Sequence, residues 1–185
     1  MELRDKKGYA YEIGNLIADE RITDIALVVP SELWWFGKAI EQNFNESIWQ
    51  DGFANLICVD RSQWDAQSSY YKDRPGRLII NLARASLKNE ASNVIELAED
   101  YVSLIDMESS VLTFARLYSL FYGITNTVGC RLIARAIRSE GLDPAKLDIN
   151  DLDNPATKIL QQNLFVRQPY VELGKNLLEG FLGGL

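Results

Sequence analysis

Arg131, Arg135 and Arg138 recur at intervals of four and three in "CRLIARAIRSEG". On a helix this sets three guanidiniums in one stripe, with Leu132, Ile133, Ala136 and Ile137 on the other side. Like charges one turn apart cost about 0.2–0.5 kcal/mol per pair, so the stripe asks for a compensating anion. Guanidinium forks match the oxygens of phosphates and carboxylates. A second cationic stretch, "SSYYKDRPGR", sets Tyr71 beside Arg74 and Arg77, and aromatic rings interleaved with cations suit nucleic-acid backbones or phosphate ligands. Facing the same way, the two stretches would make an anion site on an acidic protein. The competing reading is internal. Residues 89–110 hold six acids and no base, while residues 111–138 hold four arginines and no acid. Two such helices can pack antiparallel with charges facing, which sets register more than stability.

The other cluster is aromatic. In "SELWWFGKAIEQNF", Leu33, Phe36, Gly37, Ile40 and Phe44 share one helical face, Trp34 sits at its edge and Trp35 falls nearly opposite. Trp35 has three readings: a helix buried all round, an irregular helix start, or an exposed anchor for a partner. With Trp34, Trp49 and Phe53 it would form a contiguous patch of the kind that marks an interaction surface.

Several chemistries are excluded or lack a motif. The chain contains no histidine, so neither Ser-His-Asp nor Cys-His catalysis can be assembled, and no His-containing zinc site exists. An enzyme here would rely on carboxylate or lysine groups with strongly shifted pKa values. No residue pair stands out as catalytic. Cys58 and Cys130 fit no metal or redox spacing. "DINDLDN" has oxygen donors at Asp148 and Asn150 but Leu152 where a calcium loop needs a third; it reads as a helix-capping linker. No cofactor and no metal are expected.

These clusters need elements to position them. A chain of 185 residues that is 47% apolar and 24% charged has the composition of a globular protein. Its length suits one domain, residues 1–185, with a possible N-terminal lobe 1–88 and a helical C-terminal lobe 89–185. The start lacks the apolar run of a secretory signal. The longest apolar stretch, about 16 residues around Arg116, falls short of the roughly 20 a membrane span needs. The cytoplasm is the expected compartment.

Helical spacing predicts elements from Ser92 to 105, from 109 to a stop at Gly123, then from "TVGCRLIARAIRSEG" to a stop at Gly141. Asp143-Pro144 and Asn154-Pro155 read as helix starts, with helices at 155–166 and 169–182. "ITDIALVVP", "ANLICVD" and "RLIINLA" are short β-branched runs that suit either a strand or a buried helix. The expected fold is therefore mainly α, a single-domain bundle of about six to eight helices. The alternative is α+β, with two or three short strands within residues 22–82 and a helical C-terminal half.

The functional expectation is a non-enzymatic, acidic interaction or regulatory domain that binds a protein partner through Trp34, Trp35, Trp49 and Phe53. Residues 1–60, with 11 acidic and 5 basic groups, would steer a basic partner. The glycine-rich C-terminal helix reads first as an element closing the core, and alternatively as an exchangeable arm for homo-oligomerisation or a partner. The alternatives are a nucleic-acid or phosphate-ligand binder using the arginines, and an enzyme of carboxylate or lysine chemistry.

Overall fold

The computed structural model describes residues 8–19, 22–48, 54–71, 74–97, 110–148 and 150–162. Its elements run α1 (Tyr9–Asp19), β1 (Asp24–Val29), a 3-10 turn (Ser31–Leu33), α2 (Trp34–Ile48), β2 (Asn55–Asp60), α3 (Arg61–Ala66), α4 (Ser68–Tyr71), β3 (Arg77–Asn81), β4 (Val94–Glu96) and α5 (Ser110–Ser139). A 3-10 turn at Pro144–Lys146 and helical residues 155–162 follow. The four strands form one parallel sheet in the order β2-β1-β3-β4. The fold is α/β, which overturns the expected helical bundle.

The correction has a physical reason. Strands of a parallel sheet are buried on both faces, so they read as continuous apolar runs without alternation, and periodicity alone cannot tell such a run from a buried helix. In β1 every residue from Ile25 to Val29 is buried. Val94–Glu96 is likewise a strand, where a helix from Ser92 was expected; residues 98–109 lie outside those described.

The strand order dictates the layers. The chain leaves β1 through α2 to β2 on one side, then crosses back over β1 through α3 and α4 to β3 on the other. Right-handed crossovers in opposite directions must lie on opposite faces, and they do. Ile25, Leu27, Val29, Leu56, Cys58, Leu78 and Ile80 pack with α1, α2 and α5. Ala26, Val28, Val59 and Ile79 pack with Trp64 of α3 and with Leu87 and Ala91 of the β3–β4 connection.

Small residues let the helices approach. A Cβ on Gly37 would lie 2.4 Å from Cys58 Sγ, so α2 sits directly on β2. Gly123 does not end a helix as expected; it lies inside α5, where a Cβ would stand 2.7 Å from Ala10 of α1. Thr125 and Thr127 stay within the helix by donating their hydroxyls to the carbonyls of Phe121 (2.8 Å) and Gly123 (2.9 Å). The stop at Gly141 holds. Its φ is +72°, and Leu142 N bonds Ile137 O (3.1 Å) while Gly141 N bonds Arg138 O (3.0 Å), the paired bonds of a Schellman cap. Asn154 caps the last described helix by accepting from Ala156 N at 2.9 Å. Among the described residues no helix is long and apolar enough to cross a membrane.

The open edge of β2 is covered from above. Asn45 Oδ1 accepts from Leu56 N and Asn45 Nδ2 donates to Leu56 O, both at 2.8 Å, while Glu41 Oε2 accepts from Cys58 N at 2.7 Å. Four residues of helix, about 6 Å, match two strand residues of about 6.6 Å. Two side chains of α2 thereby occupy the bonds another strand would make, and edge pairing is blocked.

Candidate functional site

In doubly wound sheets ligands bind beyond the carboxyl ends of the strands, where the strand order reverses. Here that point lies between β1 and β3. The segment after β1 enters the 3-10 turn at Ser31 and then α2, which opens with Trp34 and Trp35. Trp34 is half-buried against the core, and the Lys38 ammonium lies 5.7 Å from its ring centroid. Trp35 is 82% exposed. A helix buried all round is set aside, since only one face of α2 is buried; the segment does open irregularly, as a 3-10 turn at Ser31–Leu33, before α2 begins at Trp34. Trp49 and Phe53 lie outside the described residues.

The neighbouring strand ends are polar and well organised. Asp60 closes β2 and caps α3, accepting from Ser62 N (2.8 Å) and Ser62 Oγ (2.5 Å). The Ser62 hydroxyl above all, with the Ser62 amide and the Ser31 hydroxyl, holds its carboxyl below the usual value against the opposing effect of burial, which exceeds either of the latter two. Asn81 closes β3 and is fully buried. Its Oδ1 accepts from Ala83 N (3.0 Å), and its Nδ2 donates to Ala85 O (2.9 Å) and Glu96 Oε2 (2.6 Å). Glu96 Oε1 also accepts from Leu87 N (2.7 Å) and Ser86 Oγ (3.0 Å). This frame holds the loop after β3 in shape and leaves Arg84 exposed at its tip.

Such a rim can recognise through an aromatic face, hydroxyls, a carboxylate and a guanidinium. Its carboxylates are engaged by local donors, and Cys58, the nearby thiol, is buried and pushed up to about 12 by desolvation and by the Glu41 carboxylate. Among the described residues no cluster of three or more His, Cys, Asp or Glu is arranged to hold a metal.

The arginines lie elsewhere. Arg77 opens β3 and is 4% exposed. It donates Nη1 to the carbonyls of Tyr70 (3.2 Å) and Tyr71 (3.0 Å) and pairs Nη2 with Asp24 of β1. Tyr71 stacks on Trp64 at 6.0 Å, and the exposed Arg74 covers the Tyr70 ring at 4.5 Å. On α5, Arg131 Nε donates to Asn15 Oδ1 (2.7 Å) and Arg135 Nη2 to Ala18 O (3.1 Å), both on α1; Arg138 is exposed one turn further on. The stripe is thus tied in part to α1; most of the acidic block at 89–110, the internal partner expected from the sequence, lies outside the described residues. A shallow recess between α2 and α5, about 30 Å3, is lined by Ile40, Phe44, Tyr118 and Tyr122 among others. Burial there, with Tyr122 beside it, pushes the Tyr118 hydroxyl up.

Sequence reading passed over Asp60, Asn81 and Glu96. The signal was present: each is the first polar residue after an apolar run, in "LICVD", "LIIN" and "VIE". It becomes readable once those runs are taken as parallel strands. No protein-family model matches the chain, and no curated protein or solved structure matches it either.

Proposed function

We propose that this chain is a non-catalytic binding domain that docks a basic protein partner on the rim at the carboxyl end of its sheet, with Trp35 as anchor. The observation that carries this reading is the 82% exposure of Trp35 on the first turn of α2, beside the reversal in strand order. A large apolar ring costs solvation when left in water, and aromatic anchors dominate interface energies. Glu32 beside it is exposed, Asp60 is held in its ionised form by its donors, and the first 60 residues are strongly acidic. These features suit a partner with lysines or arginines around an apolar recess. Both cysteines are free thiols, which agrees with a reducing compartment, and the cytoplasm belongs to this proposal.

The test compares wild type with Trp35→Ala and Trp35→Phe. Proteins retained from native lysate are identified, and the best is titrated with purified protein at two salt concentrations. Loss of at least tenfold in affinity for Trp35→Ala, with partial retention by Trp35→Phe and weaker binding at high salt, supports the reading. Unchanged binding by Trp35→Ala rejects it.

The nucleic-acid reading has less support, because Arg77, Arg131 and Arg135 have donors engaged inside the molecule. Among the described residues no nucleophile and base are assembled to support the enzyme reading.

A further inference from the structure

The amino end of the sheet carries a feature that the rim does not use. A recess of about 420 Å3 opens there, walled by Arg74, Gly76, Arg77, Ile79, Ser92 and Asn93. That size lies in the range of small-molecule sites.

The local sequence explains how two cations come to flank it. In "RPGR", Pro75 has its φ fixed by its ring, Gly76 has φ +79°, and Arg77 N bonds Arg74 O at 3.0 Å. These are the marks of a type II turn, with proline at its second position and glycine at its third. The turn brings the first and fourth residues together, so Arg74 and Arg77 stand at one spot although three residues apart. Arg74 is exposed and steadied by the Tyr70 ring at 4.5 Å. Arg77 is drawn into the wall.

The pairing of Arg77 is incomplete. Nη1 serves two carbonyls and Nη2 serves Asp24, yet the buried Nε has no acceptor, and Asp24 Oδ1 has no donor. Guanidinium and carboxylate commonly meet as a two-armed fork; here one arm is made and the other is open. A buried charged donor without an acceptor is costly, and this one belongs to a residue lining a recess with a second cation at its mouth.

We propose that this recess binds a small phosphorylated ligand, whose oxygens accept from the Arg74 guanidinium and, when the Arg77 side chain shifts to uncover its buried Nε, from Arg77 as well. A polyanion is the poorer fit. Asp24 already pairs the Arg77 charge, so Arg74 is the cation left over for a single phosphate group, and a chain of net charge −7 repels an extended polyanion.

Arginine Nε–H resonances of the full chain read this directly, under titration with inorganic phosphate and, separately, phenyl phosphate, at constant ionic strength. The expected result is a saturable shift of the Arg77 Nε–H signal with either probe, weakened at least tenfold by Arg74→Ala and abolished by Arg74→Glu. Arg74 is exposed, so both variants keep the fold, which an unchanged amide spectrum elsewhere verifies. Tighter binding of phenyl phosphate identifies an organic phosphate as the ligand class; tighter binding of inorganic phosphate identifies the free ion. An Arg77 Nε–H signal that ignores both probes at tens of millimolar, or binding undiminished in Arg74→Glu, overturns the site. Neither result bears on Trp35, so this proposal and the rim proposal fail independently.

Discussion

Trp35 and Trp64 occupy comparable places, each in the first helix after a parallel strand, and they meet opposite fates. Trp64, on α3, is fully buried against Val28, Val59 and Ile79, with its Nε1–H held by Glu90 at 3.0 Å. Trp35, on α2, is left in solvent. Helix phase separates them: α2 turns Gly37, Ile40 and Phe44 to the sheet, and Trp35 lies across from that face. The two ends of the sheet repeat the lesson with charge. At the carboxyl end Asp60, Asn81 and Glu96 are satisfied locally and an aromatic is exposed. At the amino end Arg77 is buried and Tyr71 is stacked on Trp64, while Tyr70 beside them stays exposed. Residue type named both clusters as candidate surfaces, but position in the fold decides which of them faces water.

The largest effect that would test this contrast is Trp64→Ala. Emptying a fully buried indole site and removing one of the donors to Glu90 is expected to cost about 3–5 kcal/mol in urea unfolding, whereas Trp35→Ala should stay within about 0.5 kcal/mol. Similar losses at the two positions would erase the distinction. Next is Asp24→Ala, which leaves the Arg77 guanidinium buried without its counter-ion. About 3 kcal/mol is expected from the same measurement, and a loss below about 1 kcal/mol would mean that Arg77 swings out to solvent.

Gly37→Ala should cost about 1–3 kcal/mol by overpacking, because its Cβ meets Cys58 Sγ at 2.4 Å. The double variant with Cys58→Ala should recover part of that loss, and strict additivity would contradict the contact. Asn45→Ala removes two bonds from the outer edge of β2. It is expected to cost about 1–2 kcal/mol and to speed amide exchange at Leu56.

The smallest effect is chemical. Ellman's reagent should titrate one thiol in the native chain, the exposed Cys130, and two after urea, because Cys58 is buried. Its folded pKa is raised from 9.0 to about 12. Between those values the unfolded chain releases the proton while the folded chain keeps it, so stability falls as pH climbs past about 9. Cys58→Ala should flatten that decline.

Much of the helical framework was legible in residue patterns. The buried face of α2, the Gly141 stop and the Asn154-Pro155 start rest on local rules of spacing, capping and φ, and each holds. The linker reading of "DINDLDN" holds for the same reason: Asp148 and Asp151 accept from their own loop, at Asn150 N and Asp153 N, both 3.0 Å. Local chemistry also marked Trp35 as out of phase with its helix face.

What depended on distant partners was not legible. Strand and buried helix share one apolar run, and only neighbours pairing along "DIALVV" decide between them. Gly123 reads as a stop until Ala10 of α1, more than 100 positions away, requires a gap for close packing. The arginines read as a surface until Asp24, Tyr70, Tyr71, Asn15 and Ala18 supply acceptors. Local sequence thus determined the capped helix ends at Gly141 and Asn154 and which side chains fall out of phase. Tertiary packing alone decided the sheet, the fate of each cation, and which aromatic remained in water, because burial and pairing are properties of residues far apart in the chain.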